Sequence, residues 1–89
     1  MTEDRPLRRG DFVRITSAGI TKRAFVGLAS ENGRSIAVLY DGMLPVGDGY
    51  ALGFLPLLLD DDGRWREIVR HTCVVVERLT REQLRDEEP

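Results

Sequence analysis

The sequence predicts an all-β domain, a small barrel of five to six strands with a short helical turn at its C-terminus. Three observations carry that expectation. Gly10-Asp11-Phe12-Val13-Arg14-Ile15 is a glycine turn feeding a two-residue alternation, the period of a half-buried strand. Asn32-Gly33 stands between two further strand patterns, which is the strongest short-range hairpin signal. Cys73-Val74-Val75-Val76 is a dense β-branched run, suited to close the sheet beside the first strand.

The elements follow in order. Asp11 to Ser17 places Val13 and Ile15 on the core face and Phe12, Arg14 and Thr16 on the other, and Ala18-Gly19 ends it. Arg23 to Ser30 is a second strand, in which Gly27 marks a bend or bulge. After a type I′ turn at Asn32-Gly33, the arm Ser35 to Tyr40 runs to Asp41-Gly42. Met43 to Gly49 holds Pro45, Gly47 and Gly49 and reads as a loop able to act as a recognition surface.

Tyr50 to Leu59 is the most apolar segment, and Pro56 is expected to split it. Leu57 to Leu59 and Trp65 to Val69 flank the polar turn Asp60-Asp61-Asp62-Gly63, with Trp65 and Ile68 facing inward. Thr72 to Leu79 closes the barrel against the first strand. Thr80 and Gln83 have the spacing of a capping box, so one or two helical turns follow before a frayed acidic end. The domain reading is a flexible basic arm over 1–9, the barrel over 10–79, and a helical turn with an acidic tail over 80–89.

A chain of 89 residues is one domain, near the lower end of sizes that bury a core unaided. With 42% hydrophobic and 31% charged residues it is too apolar to remain disordered. Cys73 is the single cysteine, so no internal disulfide forms, and no Cys/His set offers the ligands of a structural zinc. Met1 to Pro6 lacks an apolar signal region, and no run approaches the ~20 residues that span a bilayer. The expectation is a cytoplasmic protein with no membrane partner, metal or cofactor.

Gly10 to Ile15, the bend at Gly27, the Asn32-Gly33 hairpin and the final Val74 to Leu79 strand together resemble SH3-like barrels. KOW domains, Tudor-type modules, the PsaE-type subunit of photosystem I and the barrel of the nitrile hydratase β subunit are similar in this architecture. The KOW pattern is met in much of its first half by Gly10, Asp11, Val13, Ile15, Gly19 and Gly27. Its RNA-binding members carry a lysine- or arginine-rich hairpin, whereas the second half of this chain is acidic.

Charge is divided along the chain. Residues 1–34 carry Arg5, Arg8, Arg9, Arg14, Lys22, Arg23 and Arg34 against four acids, a surplus of three positive charges; the remainder carries a surplus of five negative ones. The basic group suits a phosphate backbone, with Phe25 or Tyr40 stacking a base, or else it is a solvated face. In the run from Tyr50 to Leu59 there are more adjacent apolar residues than a strand with one wet face needs, so part of it serves as core and part as a contact surface.

No constellation for catalysis emerges. Asp60-Asp61-Asp62-Gly63 lacks the alternating ligands and distal glutamate of a calcium loop. Gly47-Asp48-Gly49 lacks the third glycine and helix of a dinucleotide site. His71 and Cys73 share a strand face, yet no third group orients the histidine. An enzymatic site built from the Asp41 to Gly49 loop with His71 is therefore the weakest reading.

The leading expectation is a non-enzymatic protein-interaction module, a small subunit, adaptor or regulator of a larger complex, paired with a protein partner or a second copy. Its candidate contact residues are Met43, Leu44, Tyr50, Leu52, Phe54, Leu55 and Leu57. The alternative is a KOW-like RNA-binding module using Arg8, Arg9, Arg14, Lys22, Arg23 and Arg34.

Overall fold

Six antiparallel strands close into a barrel in chain order: β1 (Phe12–Ser17), β2 (Ile20–Ala29), β3 (Ser35–Val46), β4 (Gly49–Leu59), β5 (Trp65–Glu67) and β6 (Cys73–Arg78). A short helix, α1 (Arg81–Asp86), follows. The computed structural model describes residues 6–86; the expectations for 1–5 and 87–89 lie outside these. The all-β class, the closing strand and the terminal helical turn all hold, and the barrel is consistent with the SH3-like expectation.

The alternation in β1 does what its period requires. Val13 and Ile15 are fully buried, and β1 pairs with β2 on one side and with β6 on the other. The core they enter is completed by Val26, Val38, Leu44, Val46, Leu55 and Leu57, all fully buried, with Trp65 packed partly buried against it. Leu7 also belongs to this core, so the chain packs against the barrel ahead of Gly10.

The bulge expected at Gly27 is present, as a register shift between Val26 and Leu28. A Cβ there would lie 2.9 Å from Cδ1 of Leu39, so close approach of the neighbouring strand explains the glycine. The hairpin at Asn32-Gly33 forms as expected but with a different turn. Gly33 alone has positive φ there, its N–H bonding the Ser30 carbonyl at 3.0 Å, while the Asn32 side chain accepts from Ser30 Oγ and Arg34 N. Positive φ at two successive central residues, as a type I′ turn requires, occurs instead at Ala18-Gly19. β2 accordingly starts at Ile20, three residues before the expected Arg23.

The largest departure is at Met43 to Gly49, which is not a loop. β3 continues to Val46 after an irregularity between Leu39 and Met43, and only Gly47-Asp48 turn the chain back into β4. Proline does not prevent this, because an antiparallel residue directs N–H and C=O to one side. The Pro45 carbonyl points away from β4 and accepts Ser17 Oγ at 2.6 Å, so the missing N–H also lies off the β3–β4 ladder. Pro56 is accommodated in the same way: its carbonyl faces β5 and accepts the Ile68 N–H at 3.2 Å, and β4 runs through it unbroken.

The polar turn Asp60 to Gly63 joins β4 to β5 as expected, held by Asp60 carboxylate bonds from the N–H groups of Asp62 and Arg64. β5 stops at Glu67, and Ile68 is exposed rather than inward, because the chain turns there: Glu67 N bonds Thr72 O, and the Glu67 carboxylate accepts Arg70 N at 2.6 Å. The capping box is reciprocal, Gln83 N to Thr80 Oγ at 3.1 Å and Thr80 N to Gln83 Oε1 at 2.8 Å.

Candidate functional site

The outer face of β2, β3 and β4 carries several apolar register rows, bordered by Arg23 on β2 and by Ser35 opposite Leu58. Phe12 pairs with Phe25, Phe25 with Leu39, and Leu39 with Phe54, giving a row that crosses four strands. The next row is Leu28, Ala37 and Pro56; toward the hairpin tip come Met43 beside Leu52 and Pro45 beside Tyr50. Leu52 is 74% exposed, Tyr50 67%, Leu28 64%, Met43 57% and Phe54 48%. With Phe12, Phe25 and Leu58 the uncovered apolar surface is on the order of 800 Å², against roughly 300–600 Å² for the largest patch of a typical monomer.

The alternation of β4 resolves the over-long apolar run. Odd-numbered Leu55 and Leu57 point into the barrel, while Tyr50, Leu52, Phe54, Pro56 and Leu58 point out. Of the residues expected to meet a partner, Met43, Tyr50, Leu52 and Phe54 are brought together on this face. Leu44, Leu55 and Leu57 are not: each is fully buried and belongs to the core. Phe12, Leu28 and Leu39 join the face without having been singled out. Alternation already set Phe12 opposite Val13, but the bulge at Gly27 shifts Leu28 outward in a way no period-two reading follows.

A groove of about 480 Å³ is lined by Phe12, Arg23, Phe25, Leu39, Asp41 and Gly53. The rings of Phe12 and Phe25 are 6.2 Å apart and tilted by 53°, and the Arg23 guanidinium sits 5.8 Å above the Phe12 ring. The Tyr40 hydroxyl donates to the Ala51 carbonyl at 3.0 Å, and partial burial raises its pKa above the usual phenol value.

The basic residues do not share one surface. Arg14 bonds Glu77 at 3.1 Å, Lys22 Nζ donates to the Asp41 carbonyl at 2.9 Å, and Arg34 reaches the Leu59 carbonyl and Asp61 at the far hairpin. Arg14 and Arg23 alone face one another across β1 and β2; Arg8 and Arg9 lie exposed ahead of the barrel. Asp60 accepts N–H bonds from Arg64 and from the Arg66 guanidinium, which hold its carboxyl below the ordinary range.

His71 is exposed at a φ of 60°, its N–H spent on the Glu67 carbonyl at 2.7 Å, and the loop proposed to accompany it is strand. Among the described residues no group of three or more His, Cys, Asp or Glu side chains converges to hold a metal ion, and no helix is long and apolar enough to cross a membrane. Compared with known protein families, characterised proteins and solved structures, the chain matches none.

Proposed function

We propose that this barrel is a non-enzymatic protein-interaction module, a small subunit, adaptor or regulator of a larger assembly, and that the outer face of β2, β3 and β4 is its contact surface. The supporting observation is the continuous apolar face, from Phe12 through Leu39 to Phe54 and on to Leu52, laid over a core that is already complete. Aromatic and aliphatic side chains with a few charged ones, here Arg23 and Asp41 lining the groove, suit an interface in which arginine and aromatics act together.

The test is affinity capture from the native host with the wild-type chain and with Leu28→Glu, a change at an exposed position that leaves the core intact. A specific protein retained by the wild type and lost by the variant is expected. Capture of the same set by both, or of no specific protein, overturns the reading. The KOW-like RNA-binding alternative is supported by the facing pair Arg14 and Arg23 beside the Phe12–Phe25 row. RNA binding that weakens steeply with salt and with Arg23→Ala would favour it, and no binding at low salt removes it.

A further inference from the structure

Along most of its length β4 has a strand on one side only. It pairs with β3 from Gly49 to Leu58, but with β5 only over Leu57 to Leu59. Backbone direction along β4 is fixed by two bonds and a turn. The Leu59 N–H reaches the Arg34 carbonyl on the β3 side at 2.7 Å; the Pro56 carbonyl faces Ile68 on the β5 side; and Val46–Gly49, closing a two-residue turn, turns Gly49 toward β3. Odd-numbered residues therefore address β3 and even-numbered ones look away from it. This parity is the same before and after the kink at Gly53, where φ is 70°.

Tyr50, Leu52 and Phe54 consequently direct their N–H and C=O groups to a side where no strand of this chain pairs with them. Exposed edges of this kind are normally blunted by lysine, by other charges or by cover. From Gly49 to Leu59 the strand itself carries no charged residue; the Arg70 guanidinium reaches its Gly49 end, and Tyr50, Leu52 and Phe54 hold exposed apolar side chains along the rest.

We propose that a second copy of this chain pairs with that edge, β4 against β4, antiparallel about a two-fold axis at Leu52. The inference rests on the reading of the barrel as a protein-interaction module and names the partner at β4. The edge is complementary to itself. With the axis at Leu52, that residue faces the partner's Leu52, Tyr50 faces the partner's Phe54, and Phe54 faces the partner's Tyr50. All three positions are of the type that exchanges both N–H···O bonds, so every open group on the edge is satisfied, and two aromatic cross-strand pairs flank a leucine pair. Tyr50, Leu52 and Phe54 bring exposed apolar side chains to the seam, so each cross-strand pair shields apolar surface beside the backbone bonds it accompanies. An isologous contact of this form closes on itself and does not propagate.

Sedimentation equilibrium of the full chain tests this with Leu52→Lys and Leu52→Glu. The wild type is expected to be a dimer in the micromolar range, each variant alone a monomer, and their equimolar mixture a dimer again, because only a two-fold at this residue sets the two charges opposite each other. Amide exchange of the wild type provides a readout independent of the variants: the N–H groups of Tyr50, Leu52 and Phe54 slow at least tenfold at dimer concentrations and return to fast exchange on dilution. A monomeric wild type, a Leu52→Lys protein that remains dimeric, or a mixture that stays monomeric overturns the proposal. A monomer that still loses its captured protein on Leu28→Glu retires the dimer alone and leaves the interaction reading standing.

Discussion

Leu44→Ala probes the part of the fold least expected from composition. Leu44 lies in the distal arm of β3, in a stretch rich in glycine and proline, yet it is fully buried beside Val46. Truncation removes three carbon groups at about 0.8 kcal/mol each. It also leaves a cavity that cannot readily collapse, because Ser17 Oγ holds the adjacent Pro45 carbonyl at 2.6 Å. The expected cost is about 3 kcal/mol, within the range of roughly 2–5 for buried leucines. At about 4–8 °C per kcal/mol for a domain of this size, the midpoint falls by about 12–24 °C. Leu28→Ala is the control, the same chemistry at an exposed site, with an expected cost of about 1 kcal/mol or less. Urea unfolding followed by Trp65 fluorescence measures both, since Trp65 packs partly buried against the core. Equal costs at the two sites, with unchanged denaturant slopes, would refute the packing of this arm into the barrel.

Gly33 and Gly63 both have positive φ, but a Cβ at Gly33 would overlap Cβ of Pro6 while one at Gly63 meets nothing within 4 Å. Gly33→Ala should therefore cost about 2 kcal/mol or more and Gly63→Ala about 1 kcal/mol in the same unfolding assay, and the reverse order contradicts the anchoring of the Pro6-Leu7 segment. Asp60 has its folded pKa depressed by the Arg64 N–H and the Arg66 guanidinium, so its contribution is present above the unfolded value of about 3.9 and is lost as pH falls through the folded value. Acid titration of stability should be shallower in Asp60→Asn, and an unchanged acid limb tells against the turn network. Tyr40 runs the other way: its folded pKa is raised, so stability declines as pH climbs above about 10, and Tyr40→Phe should remove that alkaline limb at a cost of about 1 kcal/mol at neutral pH.

What the sequence revealed and what it hid divide along physical lines. The strand patterns of β1 and β6, the glycine of the β2 bulge, the turn at Asp60 to Gly63 and the Thr80–Gln83 cap are each written in residues close together in the chain, and all are legible from it. The β3–β4 hairpin tip is not, because its glycines and prolines carry turn propensity as single residues. Whether they break a strand depends on which side of the ladder their backbone faces, and that is set by register with Ser17 and Ile68, far away in sequence. The candidate surface split for a related reason. Apolar character placed seven residues in one contact set, whereas strand alternation sends Leu55 and Leu57 inward and leaves Tyr50, Leu52 and Phe54 outside.

That split accounts for the surplus hydrophobicity between Tyr50 and Leu59. A strand covered on one face by the barrel needs apolar residues at alternate positions only, and β4 has them at nearly every position. The polar side of the molecule follows the ordinary rule: Arg14 with Glu77 and Arg78 with Asp11 line β1 and β6, and Arg66 with Asp60 and Arg34 with Asp61 surround the β4–β5 turn. The more exposed of these pairs, Arg14–Glu77 and Arg34–Asp61, contribute little to stability, about 0–1 kcal/mol each, so their placement is governed more by solvation than by folding. Charges are thus retained where the barrel meets water and left out of the whole length of β4. Core packing explains the inward half of that strand, and ordinary surface composition explains neither its outer face nor its open edge. The proposed contact with another protein surface would account for both, a strand meeting the edge and an apolar cover meeting the face.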